Sequence, residues 1–305
     1  MAKYKLPTIK EMLDAGVHFG HQVKRWNPKM EKYIYTVNKG VHIIDLEQTE
    51  ELLDKACEFL FNEASKGKSV VFVGTKRQSK EIIENEARRC GAMYVTERWI
   101  GGTITNLETI KKNIDKLLDF LKGREEERFA KRTKKERLLI DREIEKLQKA
   151  YGGIVNMKKE PDVLFIIDPK REKTAVREAN RAGVPVVSLI DTNASPEGIS
   201  YPIPGNDDAI KSAALIVKAI ADSIEEGYEE HGKKKDKEEK EKEKKDETPI
   251  IVGVQKEEII EKEVKLVEEV KEEEAEKKIA AESGKKEESK EKPSKKDIKK
   301  DKIKK

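Results

Sequence analysis

Residues 163–190 read VLFIIDPKREKTAVREANRAGVPVVSLI. The stretch opens with five apolar residues up to Asp168. A polar segment from Lys173 to Ala182 follows, and after Gly183 a second apolar run, Val184–Ile190. A strand with one wet face alternates polar and apolar residues. Unbroken apolar runs belong to strands covered on both sides, the condition of parallel strands joined by helices. The same order recurs upstream, as a strand over Ser69–Val73, a loop Gly74-Thr75-Lys76, a helix over Gln78–Cys90 and a strand over Met93–Val95. Downstream, Tyr201–Ile203 reads as a short strand and Asp207–Ile224 as a closing helix. With right-handed crossovers these units predict an α/β fold, a doubly wound, flavodoxin-like parallel sheet of about five strands.

Ahead of this core, Thr8 and Glu11 have capping-box spacing and open a short helix that stops at Gly16. Residues 17–32 read as irregular. Tyr33–Val37 and Val41–Leu46 then form a hairpin through Asn38-Lys39-Gly40, and a helix over about Glu47–Ser65 ends before Gly67.

One segment breaks the alternation. Leu107, Ile110, Ile114, Leu117, Leu118 and Leu121, then Ile140, Ile144, Leu147 and Tyr151, repeat at helical steps, and Thr133 with Glu136 forms a second capping box. This predicts an antiparallel coiled-coil helical hairpin inserted at 107–151 into an α/β domain built from 1–106 and 152–228. A helix pair packed flat on the sheet is the competing arrangement.

Composition separates the remainder. The chain has 305 residues, 65 Lys+Arg against 61 Asp+Glu, and 41% charged residues. Residues 229–305 hold 25 Lys, 25 Asp+Glu and no aromatic residue, so the net +4 resides wholly in the first 228 residues. The charged extension lacks the apolar surface to fold alone and is expected to be disordered, despite a strand-like Pro249–Val254 and a short stripe at Ile260, Val264 and Val267. No apolar run approaches the ~20 residues of a membrane helix, and Met1–Lys10 lacks a signal-type apolar core. Two cysteines, Cys57 and Cys90, form neither a disulfide framework nor a thiolate metal site. A cytoplasmic protein without membrane contact is expected.

Catalysis finds thin support. Gly74-Thr75-Lys76 sits where phosphate loops sit, yet neither a Walker loop nor a Gly-x-Gly-x-x-Gly is present. Asp168, Asp191, Asp207 and Asp208 fall at strand ends or a helix start, as catalytic carboxylates do and as caps do. No nucleophile–base pair is identifiable and no cofactor is indicated. His18 and His21 are weak metal candidates. Nucleic acid has more: Lys24, Arg25, Trp26, Asn27 and Lys29 interleave cations with an aromatic ring. Arg98-Trp99 repeats the pattern ahead of Asn106. Arg124, Arg128, Lys131, Arg132, Lys134, Lys135 and Arg137 put seven cations into 14 residues at the hairpin's end. Guanidinium groups bind phosphates and stack on bases, as Trp does, while each cluster alone also reads as a solvated face and each Trp as a loop anchor.

Taken in order, Gly16-Val17-His18-Phe19-Gly20-His21, Lys24-Arg25-Trp26-Asn27-Pro28-Lys29-Met30, Val41-His42-Ile43-Ile44-Asp45-Leu46, Val73-Gly74-Thr75-Lys76, Arg98 through Asn106, and Tyr201 through Ala209 resemble the bacterial ribosomal protein S-two family over about residues 8–226. The resemblance implies a non-enzymatic ribonucleoprotein component of the small ribosomal subunit acting in translation, ribosome-bound in the cytoplasm. It also implies small-subunit rRNA as a partner, other small-subunit proteins, and a part in holding ribosomal protein S-one. By motif, Arg25, Trp26, Asn27, Lys29, Arg98 and Asn106 occupy the family's characteristic loops, with RNA or loop-structural roles, and Lys24, Lys76, Arg77, Trp99 and the hairpin cations complete the rRNA-binding candidates. Glu31-Lys32 departs from the family, where a basic residue and Pro are common. The alternative is an α/β enzyme holding a phosphorylated ligand at Gly74–Lys76 and Gly101–Thr103.

Overall fold

The structure, a computed structural model, describes residues 4–235. The extension read at Pro249–Val254 and Ile260–Val267 lies outside them. Thr8 opens α1 (Ile9–Ala15) with both bonds of a capping box, and Gly16 closes it in the left-handed conformation. Strand β1 (Phe19–Gln22) follows, a strand within a stretch expected to be irregular. It pairs with β3 (Val41–Ile44), which also pairs with β2 (Ile34–Asn38), so the hairpin grows into a three-stranded antiparallel sheet. Lys39 and Gly40 both have positive φ, the geometry of a two-residue primed turn. Asp45 then caps α2 (Leu46–Ala64) through Glu47 and Gln48 amides.

The main sheet contains β4 (Val70–Val73), β5 (Met93–Val95), β6 (Val163–Ile167), β7 (Val186–Ile190) and β8 (Tyr201–Pro204), all parallel, in the order β5-β4-β6-β7-β8. Numbered from the first of these strands this is 2-1-3-4-5, the flavodoxin-like order, with its reversal between β4 and β6. Helices α3 (Lys80–Cys90) and α6 (Lys173–Ala182) supply two crossovers. Between β5 and β6 lie α4 (Leu107–Glu125) and α5 (Lys134–Tyr151), and α7 spans 210–235, beginning later and running further than expected.

Strand periodicity sorts the core into two layers. Val70, Phe72, Val163, Phe165 and Ile167 point into one with α1, α2, α3 and α7. Val71, Val73, Leu164 and Ile166 point into the other with α4, α5 and α6. No helix joins β7 to β8. Met30 and Tyr33, from a short 3-10 stretch, cover Ile190 and Ala194 there instead, which ties the N-terminal sheet to the strand ends.

Helices α4 and α5 run antiparallel: Asn113 Nδ2 donates to Tyr151 Oη at 3.2 Å and Lys116 pairs with Glu143 at 3.1 Å. Their buried apolar side chains lie toward the base. Ile110, Ile114, Leu117, Ile144, Leu147 and Tyr151 belong to the sheet's own hydrophobic layer, whereas Leu138 and Leu139 near the far end are exposed. The joint is tight. A Cβ on Gly153 would lie 2.1 Å from the Tyr94 carbonyl oxygen, while one on Gly152 would meet nothing closer than 3.5 Å. We expect Gly153→Ala to cost about 1–3 kcal/mol, the usual penalty of forced overpacking. Gly152, helical at φ −56° and ψ −36°, should accept Ala within about 0.5 kcal/mol. Urea titrations of the two variants check this, and equal costs would mean that the joint yields.

Candidate nucleic-acid interface

Two kinds of site emerge, one sealed and one open. The sealed one occupies the crevice beyond the carboxyl ends of β4 and β6, where proteins of this topology hold ligands. Lys76 Nζ fills it, 3.1 Å from Asp168 Oδ2, 2.8 Å from Asp207 Oδ1 and 2.9 Å from Asp208 Oδ1. Burial works against the ammonium charge, but the three carboxylates outweigh it and raise the Lys76 pKa. Asp207 is fully buried and its Oδ2 has no hydrogen-bond partner among the described residues. Burial, reinforced by Asp191 and Asp168, pushes its pKa up to about 7 against the pull of Lys76. Beside it, Thr75 Oγ1 donates to buried Glu172 and accepts from Arg171 Nε at 2.8 Å.

His21 borders this crevice from β1. Its Nδ1 lies 2.9 Å from Asp191 Oδ2, a hydrogen bond that raises its pKa against partial burial, and its Nε2 lies 3.4 Å from Asp208 Oδ2. The donor atoms of His21, Asp191, Asp207 and Asp208 fall within 4.8 Å of one another, the group among the described residues able to hold a metal ion. His18 is not one of them; its Nδ1 is buried with no hydrogen-bond partner among the described residues, and its ring stacks at a tilt against Phe19, 4.0 Å between centroids. Spacing in sequence paired the two histidines, but β1 separates them.

The open site is a set of exposed cations. Lys24, Arg25 and Lys29 are exposed on the first Trp-bearing loop, with Lys29 paired to Glu197. Asn27 Oδ1 accepts the Lys29 amide at 3.0 Å and the Asn27 amide donates to Thr192 O at 2.7 Å, so this loop is pinned to the end of β7. Trp26 is half-buried, its ring 5.1 Å from that of His42. The second loop differs: Arg98 is exposed, whereas Trp99 is 5% exposed within the layer that holds Val95, Ile104 and Ile110, its Nε1 without a partner among the described residues. Trp99 therefore shows no ring face to a base. Asn106 is exposed at the start of α4 and accepts from Thr109 Oγ1 at 3.0 Å, and Arg77 is exposed after the sealed crevice.

At the hairpin's far end Arg124, Lys131, Lys134, Lys135 and Arg137 are exposed, with no ion-pair partner among the described residues. Arg132 lies over the Phe129 ring at 5.3 Å, and Arg128 is bound to Asp119 at 3.0 Å and Glu126 at 3.1 Å. The structure thus brings Asn27 and Lys29 together with the β7–β8 loop, and turns Lys76 inward away from the other cations. Sequence reading placed α6 but did not single out its cations, Lys173, Arg177 and Arg181, which recur every four residues and are all exposed. That spacing was legible; the inward turn of the intervening acids was not.

Comparison with known proteins agrees with this fold. The profile of the family described as ribosomal protein S2 matches residues 12–227. A small ribosomal subunit protein uS2 from Dictyoglomus thermophilum is 50% identical over 228 residues, 75% of this chain and 93% of the relative. One from Petrotoga mobilis is 52% identical over 222 residues, 73% of this chain and 77% of its own. One from Picosynechococcus is 50% identical over 229 residues, 75% of this chain and 89% of the relative.

Proposed function

The chain belongs to the ribosomal protein S2 family, and we propose that it is held on small-subunit rRNA by the exposed cations of its loops and helix pair. It is a structural constituent of the small ribosomal subunit, associated there with rRNA and other ribosomal proteins, and not an enzyme. No described helix is long and apolar enough to cross a membrane. The observation that carries the proposal is the division of charge. Lys76, in a loop placed for phosphate chemistry, is consumed by three carboxylates, while Arg124, Lys131, Lys134, Lys135 and Arg137 of the helix pair stand in solvent with no ion-pair partner among the described residues. A crevice sealed by its own ion pairs is no substrate site, and unpaired exterior cations are what a polyphosphate backbone attracts.

Contact with ribosomal protein S-one belongs to the same proposal. Exposed Phe19, Val23, Tyr35 and Val37 around the small sheet supply apolar surface of the kind protein partners cover.

The test is rebinding of the full chain to small subunits stripped of it, followed by gradient sedimentation across a salt series. Wild type should co-sediment at low salt. Replacing Lys131, Lys134, Lys135 and Arg132 with Glu should weaken rebinding and flatten the dependence of log K on log salt by about 3, at ~0.7–0.9 per lost phosphate contact. An unchanged slope would remove the helix pair from the RNA surface.

A further inference from the structure

Between residues 170 and 181 the chain carries five cations, Lys170, Arg171, Lys173, Arg177 and Arg181, and two acids, Glu172 and Glu178. The fold sorts them by side. Glu172 is 5% exposed and accepts from Thr75, and Glu178 is 9% exposed and accepts the backbone amides of Gly102 at 2.7 Å and Ile104 at 3.2 Å. All five cations are exposed. Arg171 is tethered to Thr75 through Nε, and the other four have no ion-pair partner among the described residues. The helix thus spends its acids internally and presents an uncompensated positive face.

The position of α6 adds a second observation. On one side Glu178 anchors the Arg98–Asn106 loop. On the other, a cleft of about 410 Å³ is lined by Asn27, Asn180 and Asn193 together with Lys170, Lys173 and Arg177. Asn27 belongs to the first Trp-bearing loop, so α6 adjoins both loops that sequence reading singled out separately. Glu197 also lines this cleft, but its charge is met by Lys29.

We infer that the outer face of α6 is an RNA contact surface that joins the two Trp-bearing loops into one track. Lys173, Arg177 and Arg181 lie ~6 Å apart along the helix by its rise of 1.5 Å per residue, close enough to meet successive phosphates of one strand. Exposed Asn180 offers both a donor and an acceptor to the cleft, and Asn27, whose Oδ1 is taken by the Lys29 amide, offers its Nδ2 donor, which suits base edges of unpaired nucleotides. An acidic protein segment would answer the cations but leave these amides unused.

This rests on the reading of the chain as rRNA-bound, and the test separates the two. The full-length K173A/R177A/R181A variant is rebound to stripped small subunits across the same salt series, beside wild type and the charge-preserving K173R/R177K/R181K variant. The alanine variant should fold with unchanged melting, bind more weakly, and show a slope shallower by about 2–3, while the charge-preserving variant keeps the wild-type slope. Ultraviolet crosslinking of the bound protein should map to peptides within 170–181. An unchanged slope, or weakened rebinding with no RNA crosslink in that segment, overturns the α6 proposal and leaves rRNA binding elsewhere intact. Failure of wild type itself to rebind at low salt would overturn the underlying reading instead.

Discussion

Lys76→Met should lower the stability of the folded body by about 3–5 kcal/mol at neutral pH, the cost of stripping the counter-charge from a buried ion-pair group. For a body of this size each kcal/mol moves the melting temperature by roughly 2–4 °C, so a fall of roughly 10 °C is expected. Methionine preserves most of the aliphatic stem, so the loss is one of charge. Asp168, Asp207 and Asp208 would be left facing one another across the end of β4 with no ammonium among them.

The pH dependence identifies the cause. The folded pKa of Asp207 is raised to about 7, above the ~3.9 of an unfolded Asp, so the folded state holds the proton more tightly. Stability from this group is therefore greatest below pH ~4, declines as pH rises, and is fully lost above about 7. Removing Lys76 removes what pulls that pKa down, so the decline continues to higher pH in the variant. Urea midpoints from pH 4 to 9 should show the two proteins diverging as pH rises. A constant gap would mean that Lys76 acts through packing. Equal stability combined with loss of subunit binding would mean that it faces RNA after all.

The βαβ core was legible because parallel strands write their burial directly into composition: Val163–Ile167 and Lys173–Ala182 fall where the apolar run and the polar stretch place them. The capping boxes at Thr8 and Thr133 were equally plain, since their chemistry is local. What escaped was non-local. Strand β1 exists because Phe19 and Gln22 find β3 and because the His21 amide donates to Thr192 Oγ1, 171 positions away. Nothing in Phe19–Gln22 alternates or runs apolar to announce it. Lys76 looked like a phosphate ligand because its loop has the right address; only the return of Asp207 and Asp208 from beyond β8 shows that the charge is taken. The positive face of α6 was hidden in the same way, by acids that sequence counts against it and the fold turns inward.

Trp99 offers the sharpest contrast between the two readings of an aromatic beside arginine. At 5% exposure, within the layer that holds Val95, Ile104 and Ile110, it packs as core. Trp99→Ala should cost about 3–5 kcal/mol, the range for deleting a large buried ring. Trp99→Phe should cost much less, because it retains most of the ring volume and removes a buried indole N–H that has no partner among the described residues. Trp26, half-buried against His42, should lose less on conversion to Ala than Trp99 does. The separating measurement is subunit rebinding at a temperature where each variant is folded. Trp99→Phe should rebind as wild type does, because a core ring reaches RNA only through the loop it anchors. Weakened rebinding by Trp99→Phe at unchanged melting temperature would show the indole itself contributing at the interface, and the assignment to the core would fail.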